Sequence, residues 1–380
     1  MKNKYFLIIL IILIIFNLNF CYAEEILDEQ QEEFNISGFI KNAEKYEGEF
    51  FEDIDINQLL QNVIKGQVDN STIINKILNL LGKEVSSNIK TIASILVIII
   101  IHSVLKSISD SLENDSISKL VYYVQYILII TVIMTNFTDI IKLTQDTTNN
   151  LIGFMNLLVP LLITLMLYTG NITTSSIIEP IILFIINFIG NIIQNLIIPA
   201  VLIFTSLIII SKISDKIKID NLSKFLKSSI VWFLGIIMTV FVGVISLEGT
   251  LSSSVDGISS KTAKAIVSSA VPIVGKILGD ATDTILGCSL ILKNGIGIVG
   301  VIIIIGICII PILKLGVFTI SYKLLSTIVQ PITDKNIVGL LDQVGDIFKI
   351  LLAILSSLAF MLIIGLTIVL KISNASMMYR

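Results

Sequence analysis

Charged residues are scarce in this chain of 380 residues: Asp, Glu, Lys and Arg make up 14% of it, where a soluble domain carries about a quarter. Several long runs have no charge at all, namely Ile92–Ile101, Ile181–Ile193, Ile197–Ile210 and Val301–Ile310. A water-soluble helix needs a polar face, which these runs lack, whereas the hydrocarbon core of a bilayer needs about 20 apolar residues per helix. The sequence therefore predicts a multi-pass membrane protein.

Residues that carry out chemistry are also few. There is one histidine, His102, and the three cysteines, Cys21, Cys288 and Cys308, have neither metal-ligand nor redox spacing. Neither a Gly-x-x-x-x-Gly-Lys-Ser/Thr phosphate loop nor a Gly-x-Ser-x-Gly nucleophile elbow occurs. The formal net charge of −3 gives no case for binding nucleic acid. We therefore predict a chain that is not an enzyme, with no catalytic residue, metal, cofactor or nucleic-acid partner.

The N-terminus has the pattern of a cleavable signal peptide. Lysines precede an apolar stretch, Tyr5–Phe20, and small residues at a cleavage motif end at Ala23. We expect residues 1–23 to be removed. An uncleaved anchor helix and a lipoprotein site at Cys21 are the rival interpretations.

Residues 24–90 form the one long polar region, and its first half is strongly acidic. Apolar residues recur with helical periodicity within 56–64 and again within 73–81. We predict a small, acidic, extracytoplasmic helical domain. Its acidic surface is either a solvated cap or a docking surface for a partner.

The rest of the chain predicts an all-α fold, a polytopic transmembrane helical bundle of about 7–8 spans. Candidate spans are 91–108, 119–138, 151–169, 177–193, 196–211, 229–246, 298–320 and 348–370. The stretch 177–211 is either two spans with a tight turn at Asn191–Asn195 or one long tilted helix. Lysines within 212–227 place that loop in the cytoplasm, and both ends of the mature chain then lie outside.

Between the transmembrane helices of 91–246 and those of 298–380, which end in a short tail, residues 247–297 are rich in glycine and serine. We expect amphipathic or re-entrant helices here, because irregular backbone at membrane depth persists only beside protein or water. An ordinary exposed loop is the alternative. The candidate pore or packing residues are Glu248, Gly249, Lys261, Lys264, Pro272, Gly275, Lys276, Gly279, Asp280, Asp283 and Gly287.

Ionisable groups inside or beside apolar spans are costly in hydrocarbon and are often functional. The sequence places five of them there: His102, Lys106, Glu179, Glu248 and Lys314. Each also has a structural interpretation, since lysine snorkels to the interface and a carboxylate suits a helix N-terminus. Glu248, which opens the glycine-rich segment, is the preferred functional candidate.

A weak internal sequence repeat is compatible with a transporter. Val159-Pro160 and Ile198-Pro199 have the same separation as Val271-Pro272 and Ile310-Pro311. Duplicated halves with interrupted helices are a transporter-like feature.

The segment 246–300 resembles the stage III sporulation protein AE family of endospore-forming bacteria. The resemblance lies in Ser-x-Glu-Gly-Thr at 246–250, Lys-Thr-Ala-Lys at 261–264, Val-Pro-Ile-Val-Gly-Lys at 271–276 and Gly-Cys-Ser at 287–289. The signal peptide, the acidic N-terminal domain and the polytopic remainder also suit that family, so the similarity extends over 24–370.

The resemblance implies a permease-like component of the sporulation channel, the feeding-tube assembly that links mother cell and forespore after engulfment. It implies a place in the outer forespore membrane, with the N-terminal domain in the intermembrane space. Implied partners are the lipid bilayer, other stage III sporulation A proteins including an ATPase, and stage II sporulation protein Q from the forespore side; homo-oligomers are open. The alternatives are an independent secondary transporter of a small solute or ion, and a non-conducting assembly scaffold.

Overall fold

The computed structural model describes residues 26–27, 29–46, 49–52, 54–67, 70–111, 115–213, 220–270 and 274–378. Side chains are described for these residues except 49, 70–73, 109–111, 115–116, 118, 220, 247–270, 274–283 and 372–378. Across those ranges all regular secondary structure is helical, which confirms the predicted all-α fold. The signal-peptide prediction for 1–23 lies outside the described residues.

Two short helices follow a first helical stretch at 29–33. Helix α1 (Ile36–Ala43) starts at Asn35, whose Oδ1 accepts a hydrogen bond from the Gly38 N–H at 3.2 Å. Helix α2 (Ile56–Ile64) starts at Asp55, whose Oδ1 accepts from the Asn57 N–H at 2.7 Å. Such side chains satisfy N–H groups that the first helical turn leaves without a partner. Each helix buries its apolar face, as its periodicity predicts.

Long helices make up the rest. In chain order they are α3 (Asn70–Ser111), α4 (Asp115–Tyr168), α5 (Ile172–Ile192), a π-helical turn (Ile193–Ile197), α6 (Ile198–Ile213), α7 (Asp220–Ala270), α8 (Val274–Val329) and α9 (Lys335–Met378).

An antiparallel hairpin of α8 and α9 forms the centre of the bundle, and the other long helices pack around it. Rings fill the hairpin near its turn at 330–334: the ring centroid of Phe348 lies 5.2 Å from that of Phe318 and 5.3 Å from that of Tyr322. Buried isoleucine and leucine side chains extend this core through every long helix. The apolar composition that predicts a membrane protein thus also supplies its interior.

Six helices within the described ranges are long and apolar enough to cross a membrane. They are Ile74–Ile108, Lys119–Tyr168, Ile172–Ile213, Asn221–Ser246, Thr284–Val329 and Lys335–Lys371. The number is below the predicted 7–8 because two expected pairs of spans are each joined into one continuous helical unit.

The first pair, the predicted spans 119–138 and 151–169, is joined in α4. This helix continues through 139–150, the stretch that separates the two predicted spans. This stretch is polar, but its threonines are compatible with a helix. The hydroxyls of Thr144, Thr147 and Thr148 each donate to the carbonyl four residues earlier, at 2.7–2.8 Å. Because these hydroxyls are satisfied by the helix itself, the helix does not need to end there.

The second joined pair is α5 and α6, and the expected turn at Asn191–Asn195 is wrong. The π-helical turn lies there instead, and it ends two residues before Pro199. Proline has no N–H to donate to the carbonyl four residues earlier, and a wider π turn accommodates such a local fault without ending the helix. The other expectation, one long helix, is what the structure has.

The N-terminal segment packs directly on the bundle. A Cβ added at Gly306 of α8 would lie 2.0 Å from the Phe51 ring, and one at Gly295 would lie 3.0 Å from Ile64. These glycines therefore let the N-terminal residues approach α8 closely. Helix α3 continues through the predicted domain boundary at residue 90 without a break.

Candidate functional site

Four charged side chains join α7, α8 and α9 near the α8–α9 turn. Lys323 Nζ of α8 lies 2.7 Å from Asp342 Oδ1 and 2.9 Å from Asp346 Oδ1, both on α9. Asp346 Oδ2 lies 2.7 Å from Lys227 Nζ of α7. One carboxylate, that of Asp346, therefore bridges two lysines from two different helices. We name these four residues the α7–α9 charge cluster.

Helical geometry explains how the cluster assembles. Asp342 and Asp346 are four residues apart and so lie on one face of α9. Lys323 lies close to the end of α8, where the hairpin brings it opposite that face, and Lys227 lies in the first turns of α7. Asp346 is 20% exposed, against 34% for Lys323 and 38% for Lys227. The shared carboxylate is thus the most buried of the three.

A second cluster lies at the tip of the same hairpin. Asp334, in the turn before α9, accepts a hydrogen bond from Lys106 of α3 and lies 3.4 Å from His102 Nε2. The His102 ring and the Lys106 ammonium lower the pKa of the Asp334 carboxyl to about 2, against the opposite effect of burial. His102 itself is 2% exposed. This turn is therefore held on α3 by charge.

Neutral polar contacts continue the same interface. Asn88 of α3 donates to the Ser321 hydroxyl of α8 at 2.9 Å, and Tyr122 of α4 donates to the Lys212 carbonyl of α6 at 2.7 Å. Side chains of this kind link helices in membranes, where apolar burial between helices gives little driving force. Polar contacts thus link α3, α4, α6, α7, α8 and α9 around the α8–α9 turn.

The chemistry available to the α7–α9 charge cluster is the exchange of ion-pair partners. With two lysines and two aspartates its formal charges cancel. Because Asp346 contacts both lysines, it would keep its ion pair with Lys323 of α8 if the contact with Lys227 of α7 were broken. Over the described part of the chain, no group of three His, Cys, Asp or Glu side chains has the geometry of a metal site.

Most of the predicted pore or packing residues fall where side chains are not described. These are Glu248, Gly249, Lys261, Lys264, Gly275, Lys276, Gly279, Asp280 and Asp283, on helical backbone, and Pro272, which lies outside the described residues. Gly287 is described, and a Cβ added there would meet nothing within 4 Å. The role predicted for this segment stays a prediction.

The sequence does not predict the α7–α9 charge cluster, because lysines such as Lys227 indicate only the side of the membrane on which a loop lies. A signal was present: Asp342 and Asp346 follow one another at helical spacing just before an apolar run. Lys293 is likewise absent from the predicted site residues. It lies in α8, is fully buried and interrupts an otherwise apolar stretch. The sequence singles out His102 and Lys106 as ionisable groups in or beside spans. Local sequence does not predict that Asp334 is their partner.

Comparisons with known proteins extend these observations. The model of the family described as stage III sporulation protein AE matches residues 54–373. Stage III sporulation protein AE of Bacillus subtilis (strain 168) is 29% identical over 297 residues, which cover 78% of this chain and 74% of that protein. No solved structure matches the chain. Since the family match takes in all six candidate membrane-crossing helices and far more than half of the sequence, this multi-pass membrane protein belongs to the stage III sporulation protein AE family.

Proposed function

We propose that the chain is a non-enzymatic, permease-like component of the channel assembly that links mother cell and forespore and sustains the forespore after engulfment. The observation that carries the proposal is the family match over 54–373, which contains the whole helical bundle and both charge clusters. The bundle has six helices long and apolar enough to cross a membrane, and charged side chains near its α8–α9 turn are paired between helices.

The proposed orientation follows from the lysines of 212–227, which favour the cytoplasm. Helix α3, helix α4 and the α5–α6 unit would cross three times between the N-terminal segment and those lysines. An odd number of crossings would put residues 26–64 on the opposite side, which we propose is the intermembrane space. The α8–α9 turn then lies on the cytoplasmic side with Lys212, whose Cε is 3.4 Å from a Cβ built at Gly339.

The proposed partners are the other stage III sporulation A proteins, including an ATPase, and stage II sporulation protein Q from the forespore side. Exposed carboxylates on the N-terminal segment support a contact with partner proteins there: Glu29, Glu32, Glu33, Glu44 and Glu52. An ATPase would act from the mother-cell cytoplasm, the side to which we assign the α8–α9 turn. Movement of α7 against that hairpin is the step that an attached motor would drive.

The test is a clean deletion in the native organism, complemented by the wild-type chain and by matched variants. We expect arrest after engulfment, with a small or collapsing forespore, scored by microscopy and heat-resistant spore counts. Glu248→Gln, and bulky replacements at Gly275 and Gly279, should fail to complement although the protein reaches the membrane, as membrane immunoblots would check. Gly316→Ala is the control, because a Cβ at Gly316 meets nothing within 4 Å.

Normal sporulation of the deletion strain would refute the proposal. Full complementation by all of the Glu248, Gly275 and Gly279 variants would leave the chain as a non-conducting scaffold. Solute uptake by liposomes that contain this chain alone would instead support an independent secondary transporter.

A further inference from the structure

Helix α4 carries a polar strip on its exposed face. Thr135, Asp139, Lys142, Asp146 and Asn149 are all exposed, and they follow one another at alternating steps of four and three residues. This spacing keeps side chains on one face of a helix and is the spacing at which a helix meets a partner helix.

The strip continues onto the neighbouring helical unit. Asn149 of α4 accepts a hydrogen bond from Gln194 of the π-helical turn, and Asn156 donates to Asn187 of α5 at 3.1 Å. Asn191 and Asn195 are exposed beside these contacts. We name this surface, on both helices, the α4–α5 polar strip. A π-helical turn inside an α-helix often marks a functional site, and here it adjoins the strip.

The position of this surface along the candidate membrane-crossing helices is unusual for polar residues. Between Glu179 and Lys212 the α5–α6 unit has no charged residue, and Gln194 and Asn195 lie at the middle of that stretch. The hydrogen bonds between α4 and the α5–α6 unit therefore place Asn149 beside the centre of a candidate membrane-crossing helix. Asp146 lies one turn before Asn149 on α4. Charged side chains are expensive to expose to lipid. A face of this composition is expected to meet water or protein.

We infer that the α4–α5 polar strip binds the same strip of a second copy of this chain in the membrane. The charges are complementary in a parallel pair: Lys142 lies between Asp139 and Asp146, so each lysine can reach a carboxylate of the other copy one turn away. Threonine and asparagine side chains carry both donors and acceptors, which suits contacts between identical surfaces. Polar contacts of this kind hold transmembrane helices together.

Next to the strip, the exposed surface of α5 has the apolar composition expected of a lipid-facing surface. A groove of about 670 Å³ between α5 and α7 is lined by apolar side chains, among them Phe184, Phe188, Phe233 and Val240. The α4–α5 polar strip is therefore a local polar area beside an apolar exposed surface. The inference rests on the proposed membrane placement and not on the role in sporulation.

The test is cysteine crosslinking of the full-length chain in membranes of a non-sporulating host. Cys21, Cys288 and Cys308 are first replaced by serine or alanine. Thr135→Cys then places a thiol on the strip without changing a charge, and Val240→Cys on α7 is the matched exposed control. We expect several-fold more crosslinked dimer from Thr135→Cys than from Val240→Cys. Equal yields would overturn the inference, as random collisions in the membrane would explain them.

Variants that reverse charges on the strip test the inference further. In the Thr135→Cys background, Lys142→Glu aligns three carboxylates on each strip and should abolish the dimer. Copies with Asp139→Lys and Asp146→Lys should restore it when they are co-expressed with the Lys142→Glu form. An unchanged elution volume and unfolding temperature in a detergent that separates the copies would show that the variants fold. If Thr135→Cys instead reacts with a water-soluble thiol reagent and no dimer forms, the strip faces water or another protein, and the inference fails.

Because this assay uses a host that does not sporulate, its outcome is separable from that of the deletion experiment. A dimer in the host with normal sporulation of the deletion strain would retain the inference and refute the proposed function.

Discussion

Helices α4 and α9 both carry charges in candidate membrane-crossing segments, yet their charges are arranged differently. On α9, Asp342 and Asp346 form ion pairs with lysines of α7 and α8 at 2.7–2.9 Å. On α4, Asp139, Lys142 and Asp146 are exposed and form no ion pair with any residue that the structure describes. Charges paired inside the chain hold its own helices together, whereas charges turned outward at membrane depth indicate a surface completed by another molecule.

The largest expected effect is that of Asp346→Ala. This change leaves Lys227 and Lys323 without their shared carboxylate, and breaking an ion pair that is shielded from water is strongly destabilising. We expect the free energy of unfolding to fall by about 2 kcal/mol. This is less than the loss expected for a fully buried ion pair, because the cluster is partly exposed. The measurement is the unfolding temperature of the purified chain in detergent.

Asp342→Ala is the control for this change, because Asp342 is 50% exposed and Lys323 keeps its contact with Asp346. We expect it to cost well under 1 kcal/mol. Equal losses from the two variants would show that Asp346 does not bridge the helices.

The next effect depends on pH and concerns the tip of the hairpin. The pKa of Asp334 is lowered to about 2 in the folded chain, against about 3.9 in an unfolded chain. A lowered carboxyl pKa stabilises the fold above the unfolded value, and this contribution is lost as the pH falls from about 4 to about 2. Asp334→Asn removes the titration. Between these pH values the free energy of unfolding of the wild type should therefore fall by about 1 kcal/mol more than that of the variant. This value allows for the partial exposure of Asp334.

Unfolding temperatures of the two forms, followed downward from pH 5, provide this comparison. Parallel curves for wild type and Asp334→Asn would mean that the turn does not depend on the contacts with His102 and Lys106.

The smallest expected effect belongs to the strip. Asp146→Ala and Lys142→Ala remove exposed charges that hold no other part of the chain, so each should change stability by less than about 0.5 kcal/mol. Purified protein in a detergent that separates the copies is the sample to use. A loss from Asp146→Ala comparable to that from Asp346→Ala would remove the distinction between α4 and α9.

Local pattern predicts most of the helices and few of their contacts. The apolar runs predict the all-α bundle, and the periodicity of 56–64 predicts α2, because both are properties of neighbouring residues. The break expected at 139–150 was wrong, since a polar stretch resembles a loop wherever the packing around it is unknown. The ion pair between Lys227 and Asp346 joins residues 119 positions apart. Such partners are fixed by tertiary packing, to which single-sequence periodicity gives no access.

The continuity of α7 gives the chain a mechanical property. The helix extends without interruption from Asp220 to Ala270, and Lys227, near its start, is bonded to Asp346. From Lys227 to Ala270 the helix measures about 65 Å at a rise of 1.5 Å per residue. A tilt of about 5° at the charged end therefore swings the far end through about 6 Å. A change of ion-pair partner at Lys227 that tilted α7 by this amount would therefore displace its far end by about the radius of another helix.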